Sequence, residues 1–548
     1  MDPEAPIVAD VLINLSVIAT QRGDLVKAEG FLRSSLDFLR ERSPGGPGEA
    51  AALANLGIIQ LFRADFAASE TNLLAALERF EALSPNNLSS ARALTNLSTV
   101  ARALEANDRA ERYATRALAI HRNVEPDSEI LAYDLAILAE IAGKRGQVPL
   151  ARQRLAEAVA MADRQPPSAN VGSIYLRMTE LLTELGHVEE TGPLVEKANR
   201  VLSAVAPGTA GEAEALAHRG RLAQHQQDLE RADAAYAHAL DVLDAAVGQL
   251  GGSDTDRSQT RSLYANIYRS AIDVAVTRGD GPRAFHTLER LHARSLLDLL
   301  SERDLEPPKD LPRELRNEGR RIEAALTTVD QQLAALDSTH EPETWKAKLA
   351  ERSQLLRERA SHRASVRREA PRYAAIVAPQ PLEVAAARKT LDVDTLRLAY
   401  SVGERELILF VLTPAGFPNA PRSGLEVHRI PTSRADLTAR VTAFRGQLLA
   451  KKGLEDPTFR ALAERLSRDL LAPAAARLAQ AKRISISPDG ILEILPFSAL
   501  TAPVGTAVAG RYVAVGWPTS TVASAVPRLV VMRTRPPSAT PSALRSIA

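Results

Sequence analysis

Apolar residues in the first 300 positions follow two nested rhythms, a helical spacing of three and four and a longer period near 41 residues. The segments NLSVIATQRGDLVKAEGFLRSSL from Asn14, NLGIIQLFRADFAASETNLLAAL from Asn55 and NLSTVARALEANDRAERYATRAL from Asn96 begin 41 residues apart. The register continues from Ile137, Arg177 and His218. A seventh copy starts at Ser270, after a polar stretch, residues 251–260, that reads as a linker. Nine residues after each start comes a helix end, where Gly23, Gly146, Gly186 and Gly279 suit a left-handed cap. Five residues later Ala28, Ala110, Ala151, Ala232 and Ala284 are small enough for close helix approach. Leu32, Leu73, Leu155 and Leu288 share one position, and Leu36, Leu77, Leu118 and Leu240 share another, so the second helix has an apolar face. Each unit is a helical hairpin that must stack on its neighbours to bury that face.

The pattern then changes. From Leu311 to Ala370 it is charged and helical, with Leu315, Ile322, Leu326 and Leu333 on one arm and Leu349, Leu355 and Leu356 on the other. Pro342 between the arms suits a helix start, so a coiled-coil-like hairpin is expected. Arg363, Arg367 and Arg368 read as a solvated helix face. Beyond residue 390 come strand-like runs: Thr395–Tyr400, Glu406–Leu412, Leu425–Ile430, Tyr512–Val515 and Pro527–Met532. Helical runs at Ala435–Leu449 and Asp456–Ala479 separate them, which predicts an α/β domain with a parallel-type sheet. The stretch ISISPDGILEILPFSAL, Ile484–Leu500, reads as a buried strand, a turn at Pro488-Asp489-Gly490 and a second apolar run, together a β-hairpin.

The fold class expected is mainly α. A solenoid of about seven hairpins (residues 1–300) is followed by a charged helical hairpin (301–370), an incomplete α/β domain (371–532) and a disordered tail (533–548). Composition narrows the function. Lys+Arg less Asp+Glu is 68 − 67 = +1, which gives no global pull towards nucleic acid or an anionic membrane. No run is apolar enough for a transmembrane helix, and the acidic N-terminus is not a signal peptide, so a cytoplasmic protein is expected. Without cysteine the chain has no disulfide, thiolate metal site or thiol nucleophile. The histidines, among them His121, His187, His218, His286 and His292, show no metal-binding spacing. Neither metal nor cofactor is expected.

The repeat resembles tetratricopeptide repeats, in the longer form of kinesin-light-chain-like arrays, over about residues 8–300. Pro488, Asp489, Gly490, Leu492, Leu495, Pro496, Phe497 and Leu500 match a second signature, PDG-x-L-x-x-LPF-x-AL. With the segment AFHTLERLHARSLLDLLSE from Ala284, they resemble CHAT domains, the caspase-like peptidases often found behind such repeats. This resemblance covers about residues 284–532 and implies a structural role for the signature. In that family the catalytic His and Cys come well downstream of the signature. Here 48 residues follow Leu500 (548 − 500) and hold neither, so no catalytic residue carries over. Ser498 and Ser520 have no evident base.

The expected function is therefore a protein-interaction scaffold without enzymatic activity, taking a protein or peptide in the repeat groove. A chain completing the C-terminal domain is a second conceivable partner. The alternative is a truncated or split cysteine peptidase whose His and Cys lie on another segment. Asn14, Asn55 and Asn96 share one register and are the candidate groove residues, because a carboxamide pairs both ways with a peptide backbone. That they merely satisfy neighbouring backbone is equally open from sequence.

Overall fold

The computed structural model describes residues 5–21, 25–42, 44–63, 65–247, 254–301, 312–335, 342–370, 381–450, 456–500 and 530–533. The chain divides into two compact units, residues 1–267 with 304–375 and residues 268–303 with 376–548.

In the first unit the repeats are helical hairpins: α1 (Ala5–Gln21) with α2 (Leu25–Arg42), α3 (Pro47–Phe62) with α4 (Phe66–Leu83), and α5 (Leu88–Ala103) with α6 (Asn107–Val124). They continue as α7 (Glu129–Lys144) with α8 (Val148–Ala162), α9 (Ala169–Glu184) with α10 (Gly192–Val205), and α11 (Ala210–His225) with α12 (Leu229–Val247). The small residue expected on each second helix is fully buried, as Ala28, Ala110, Ala151 and Ala232 show. Gly57 on α3 lies so close to Leu73 that an added Cβ would sit 2.6 Å from its Cγ. The hairpins begin with side-chain caps: Asp65, Asn87, Ser128, Ser168 and Thr209 each accept a backbone N–H of the following turn.

The helix-end position behaves as a backbone requirement, not as a glycine preference. Gly146 and Gly186 have φ of 71° and 82°, and the same offset in other copies places Glu105 at 57° and Gln227 at 62°. Both side chains are exposed. Glu105→Gly and Gln227→Gly should each raise solenoid stability by about 0.5 to 1 kcal/mol, since left-handed backbone strains any residue with a Cβ. Gly146→Ala should lower it by about 1 kcal/mol or more. Thermal unfolding followed by circular dichroism checks all three, and a loss of stability in the first two would contradict this account.

The charged segment folds as α15 (Arg313–Ala335) and α16 (Pro342–Glu369), with Ile322, Leu326, Val329 and Leu355 at its seam. His362 Nε2 lies 2.8 Å from the Leu315 carbonyl. Between them and the repeats lie α13 (Asp254–Thr277) and α14 (Gly281–Ser301). Residues 254–260, expected as linker, are thus helical.

The second unit is a sheet with helices on both faces. Strand order is β3 (Leu425–Ile430), β2 (Leu407–Leu412), β1 (Thr395–Val402), β4 (Arg483–Ser487), β5 (Val530–Arg533). The sheet is mixed, not parallel: β1 and β4 run parallel and the other three pairings are antiparallel. A tight turn joins β1 to β2, which forces antiparallel pairing, whereas helices α18 (Arg434–Leu449) and α19 (Pro457–Leu470) allow the crossover to β4. Their Leu437, Phe444, Phe459 and Leu466 pack on Leu396, Leu398, Leu409 and Ile486. The opposite face, Ala399, Ile408, Phe410 and Leu412, is covered by Ile272, Phe285 and Leu288 of α13 and α14 and by the short α17 (Val384–Lys389). Both faces of β1 and β2 are therefore buried, as their near-continuous apolar sequences require.

The expected hairpin at Ile484–Leu500 does not form. After β4 the chain makes two 3₁₀ turns, Gly490–Ile494 and Phe497–Ala499, and β4 pairs with β1 and β5 instead. Pro488 and Pro496 cannot donate to a ladder, and Leu492, Leu495, Phe497 and Leu500 are drawn together into the core. Tyr512–Val515 and the tail lie outside the described residues.

Candidate peptide groove

The first helices of the hairpins, α1, α3, α5, α7, α9 and α11, touch one another in succession and form the inner wall of the first unit. Stacked hairpins of this kind present such a wall as an extended concave surface. Asn14 on α1 is exposed, and Asn55 on α3 and Asn96 on α5 are half-buried. None of the three side chains hydrogen-bonds to another described residue. Val17, three residues after Asn14, is 44% exposed, and Phe62, seven after Asn55, is 58% exposed. The first three repeats thus offer amides interleaved with exposed apolar groups.

In the fifth and sixth repeats the same register holds Arg177 and His218, after the buried Ile137 of the fourth, and ionic groups gather on these first helices. Glu140 on α7 accepts Arg102 of α5 and Arg177 of α9, each at 3.2 Å. The Arg177 guanidinium also lies 4.9 Å from the centre of the Tyr133 ring. Burial, with Glu180 nearby, pushes the Glu214 carboxyl up to about 7, partly opposed by Arg177. Burial and Arg221 push the His218 imidazole down to about 3, so it is neutral at ordinary pH. Burial and the Glu180 charge also raise Glu184.

Other histidines are structural. His121 Nδ1 lies 2.6 Å from Asp134 Oδ2, and the Thr95 hydroxyl donates to Asp134 Oδ1 at 2.6 Å, all three buried between the third and fourth hairpins. His187, Glu189 and Glu190 bring ligand atoms within 4.8 Å of one another, but Arg152 already holds Glu190 at 2.7 Å and both glutamates are exposed.

In the second unit the signature residues organise a buried polar cluster. Asp489 accepts two bonds from Arg269, at 3.1 and 2.8 Å, and one from the Val402 backbone N–H at 2.7 Å. A base does reach a serine here, though not one considered from sequence: His292 Nδ1 is 3.2 Å from Ser487 Oγ. Glu289 lies 3.9 Å from that same nitrogen and is bound to Arg397 at 2.7 Å. A proton relay needs serine and carboxylate on opposite ring nitrogens and a nucleophile open to substrate. Ser487 is buried, so the pair latches α14 to the end of β4. Among the described residues no helix is long and apolar enough to cross a membrane.

Residues 48–123 match the tetratricopeptide repeat family. No curated protein matches the chain. Among solved structures it is similar to BtubC from P. vanneervenii, at 15% identity, 46% of this chain, 96% of that one and a TM-score of 0.36. A putative kinesin light chain with nearly identical repeats from Podosopora anserina aligns at 14% identity, 37% and 98% coverage and a TM-score of 0.31. A Rap protein complexed with Competence and Sporulation Factor aligns at 12% identity, 65% and 99% coverage and a TM-score of 0.36.

Proposed function

We propose that this chain is a protein-interaction scaffold that holds an extended protein segment along the inner wall of its repeats, and that its second unit is a folded platform without hydrolytic activity. The observation that carries the reading is the trio Asn14, Asn55 and Asn96, evenly spaced in sequence, on the first helices α1, α3 and α5 of successive hairpins and without partners among the described residues. An extended segment offers its backbone N–H and C=O at regular intervals, and carboxamides answer both. Three such contacts at about 1 kcal/mol each contribute on the order of 100-fold in affinity. Peptides selected from a random displayed library on the full chain should therefore bind the Asn14→Ala, Asn55→Ala, Asn96→Ala triple variant about 100-fold more weakly by fluorescence anisotropy. Unchanged affinity removes the proposal.

For the second unit, the absence of cysteine and the buried Ser487 support a non-enzymatic role, and the CHAT resemblance supplies its architecture. The sheet edges β3 and β5 are where a completing chain would add strands. A panel of fluorogenic peptides and esters should show no turnover above buffer; turnover abolished by Ser487→Ala would overturn this part.

A further inference from the structure

The first helices α3, α5 and α7 each turn one face to the hairpin before them, and α1 leaves the same face open to water. Three positions of the 41-residue register define it. The first is filled by Glu49, Ser90 and Leu131, the second by Ala52, Ala93 and Asp134, and the third by Leu56, Leu97 and Leu138. All nine residues are at most 5% exposed. The preceding hairpin is what covers them. Glu49 accepts the backbone N–H of Gly45, just after α2, at 2.7 Å, and Asp134 is held by Thr95 of α5 and His121 of α6. On α1 the same positions are Val8, Val11 and Leu15, which are 41%, 52% and 37% exposed, with Ile7 beside them at 64%. Helix α15 also lies against α1 and leaves these four side chains open. A repeat array ordinarily ends in a polar outer face, because an apolar stacking face left in water invites association.

We propose that this face of α1 is a dimerisation surface whose partner is α1 of a second copy of the chain, paired antiparallel about a twofold axis at Val11. The face continues the series of interfaces that the solenoid already makes between its own hairpins, so a helix of the same kind fits it. The pairing is isologous because the other end of the array offers no matching face. Among the described residues, α11 and α12 expose no large apolar side chain. A head-to-tail contact, which would grow into a filament, therefore lacks its second half. Ile7, Val8, Val11 and Leu15 fall within about 100° of arc around the helix. An axis at Val11 sets Ile7 and Val8 of one copy against Leu15 of the other, an arrangement complementary to itself. Asp10, the one ionisable residue of α1, lies about 100° round the helix from Val11, so like charges do not meet across the seam. The seam is about 25 Å long, which places it among small interfaces that associate weakly and reversibly. It rests on the outer face of α1 alone and stands whether or not the groove takes a peptide.

Analytical ultracentrifugation of the full chain, 59.1 kDa as a monomer, from about 1 to 500 µM suits an interface of this class. The mass should rise to that of two copies and stop there. The double variant Val11→Glu, Leu15→Glu brings four carboxylates together at the seam of a pair and should weaken dimerisation at least about 100-fold. Both side chains are exposed in the single chain, so the melting curve of the variant in dilute solution should match the wild type and establish that it folds. The chain has no cysteine, so Val11→Cys reports on the axis without background. It should oxidise to a covalent dimer, whereas Val393→Cys, 68% exposed in the second unit, should not. A monomer at every concentration, a dimer that survives the two glutamates, or growth beyond two copies overturns the proposal. A dimer that the glutamates break but Val11→Cys does not trap overturns the axis at Val11.

Discussion

Replacing Asp489 by alanine should destabilise the second unit by about 3 kcal/mol or more, the range for stripping one partner from a buried ion pair. Asp489 is 6% exposed and does three things at once: it binds Arg269 through both oxygens and closes the end of β1 through the Val402 N–H. Its removal leaves the Arg269 guanidinium, 14% exposed, facing Arg434, whose own charge is already disfavoured by burial and by Arg269. A backbone donor is orphaned as well, which costs further. Hydrogen exchange at residues 395–402 and 483–487 should accelerate by about 100-fold. Asp489→Asn should fall between, keeping an acceptor for Val402 while losing the charge. The double variant Arg269→Met, Asp489→Leu should recover most of the loss, because it removes both charges together. Exchange in Asp489→Ala no faster than in the wild type would sink the assignment.

The same residue shows what could be read from sequence and what could not. Asp489-Gly490 looked like a hairpin turn because Asp-Gly accepts left-handed backbone, and Gly490 does have φ of 57°. What the local pattern could not contain was Arg269, 220 positions earlier, whose long-range pair fixes the aspartate and takes the chain away from β4. Propensity was right about the turn and tertiary packing decided what followed it. The solenoid was legible for the opposite reason. Its contacts are between near neighbours, so Ala28, Leu32 and their equivalents signal their own burial through a simple period. The seventh copy was recognised by that period too, yet Phe285 and Leu288 cover a sheet rather than an eighth hairpin, since an apolar face does not say what buries it. The recurrence of Asn14, Asn55 and Asn96 was visible as repetition, whereas Glu140, Arg177, Glu214 and His218 on the later first helices change identity at every step and share no motif.

Glu214→Gln should stabilise the first unit at pH 8 by up to about 3 kcal/mol and leave it nearly unchanged at pH 4. The carboxyl rises from an ordinary value of 4.5 to about 7 on folding, through burial first and Glu180 second. A raised folded value means the native state holds the proton more tightly than the unfolded chain. The stabilisation that this gives is complete below 4.5 and is lost as pH climbs through 7, where folding must expose a half-buried carboxylate to Glu180. The interval of about 2.5 units corresponds to about 3 kcal/mol, an upper value because water reaches part of the side chain. Glutamine stands in for the protonated form at every pH and so removes the high-pH penalty alone. Denaturant unfolding of wild type and variant at the two pH values measures it, and an equal gain at both would show that packing, not charge, sets the effect.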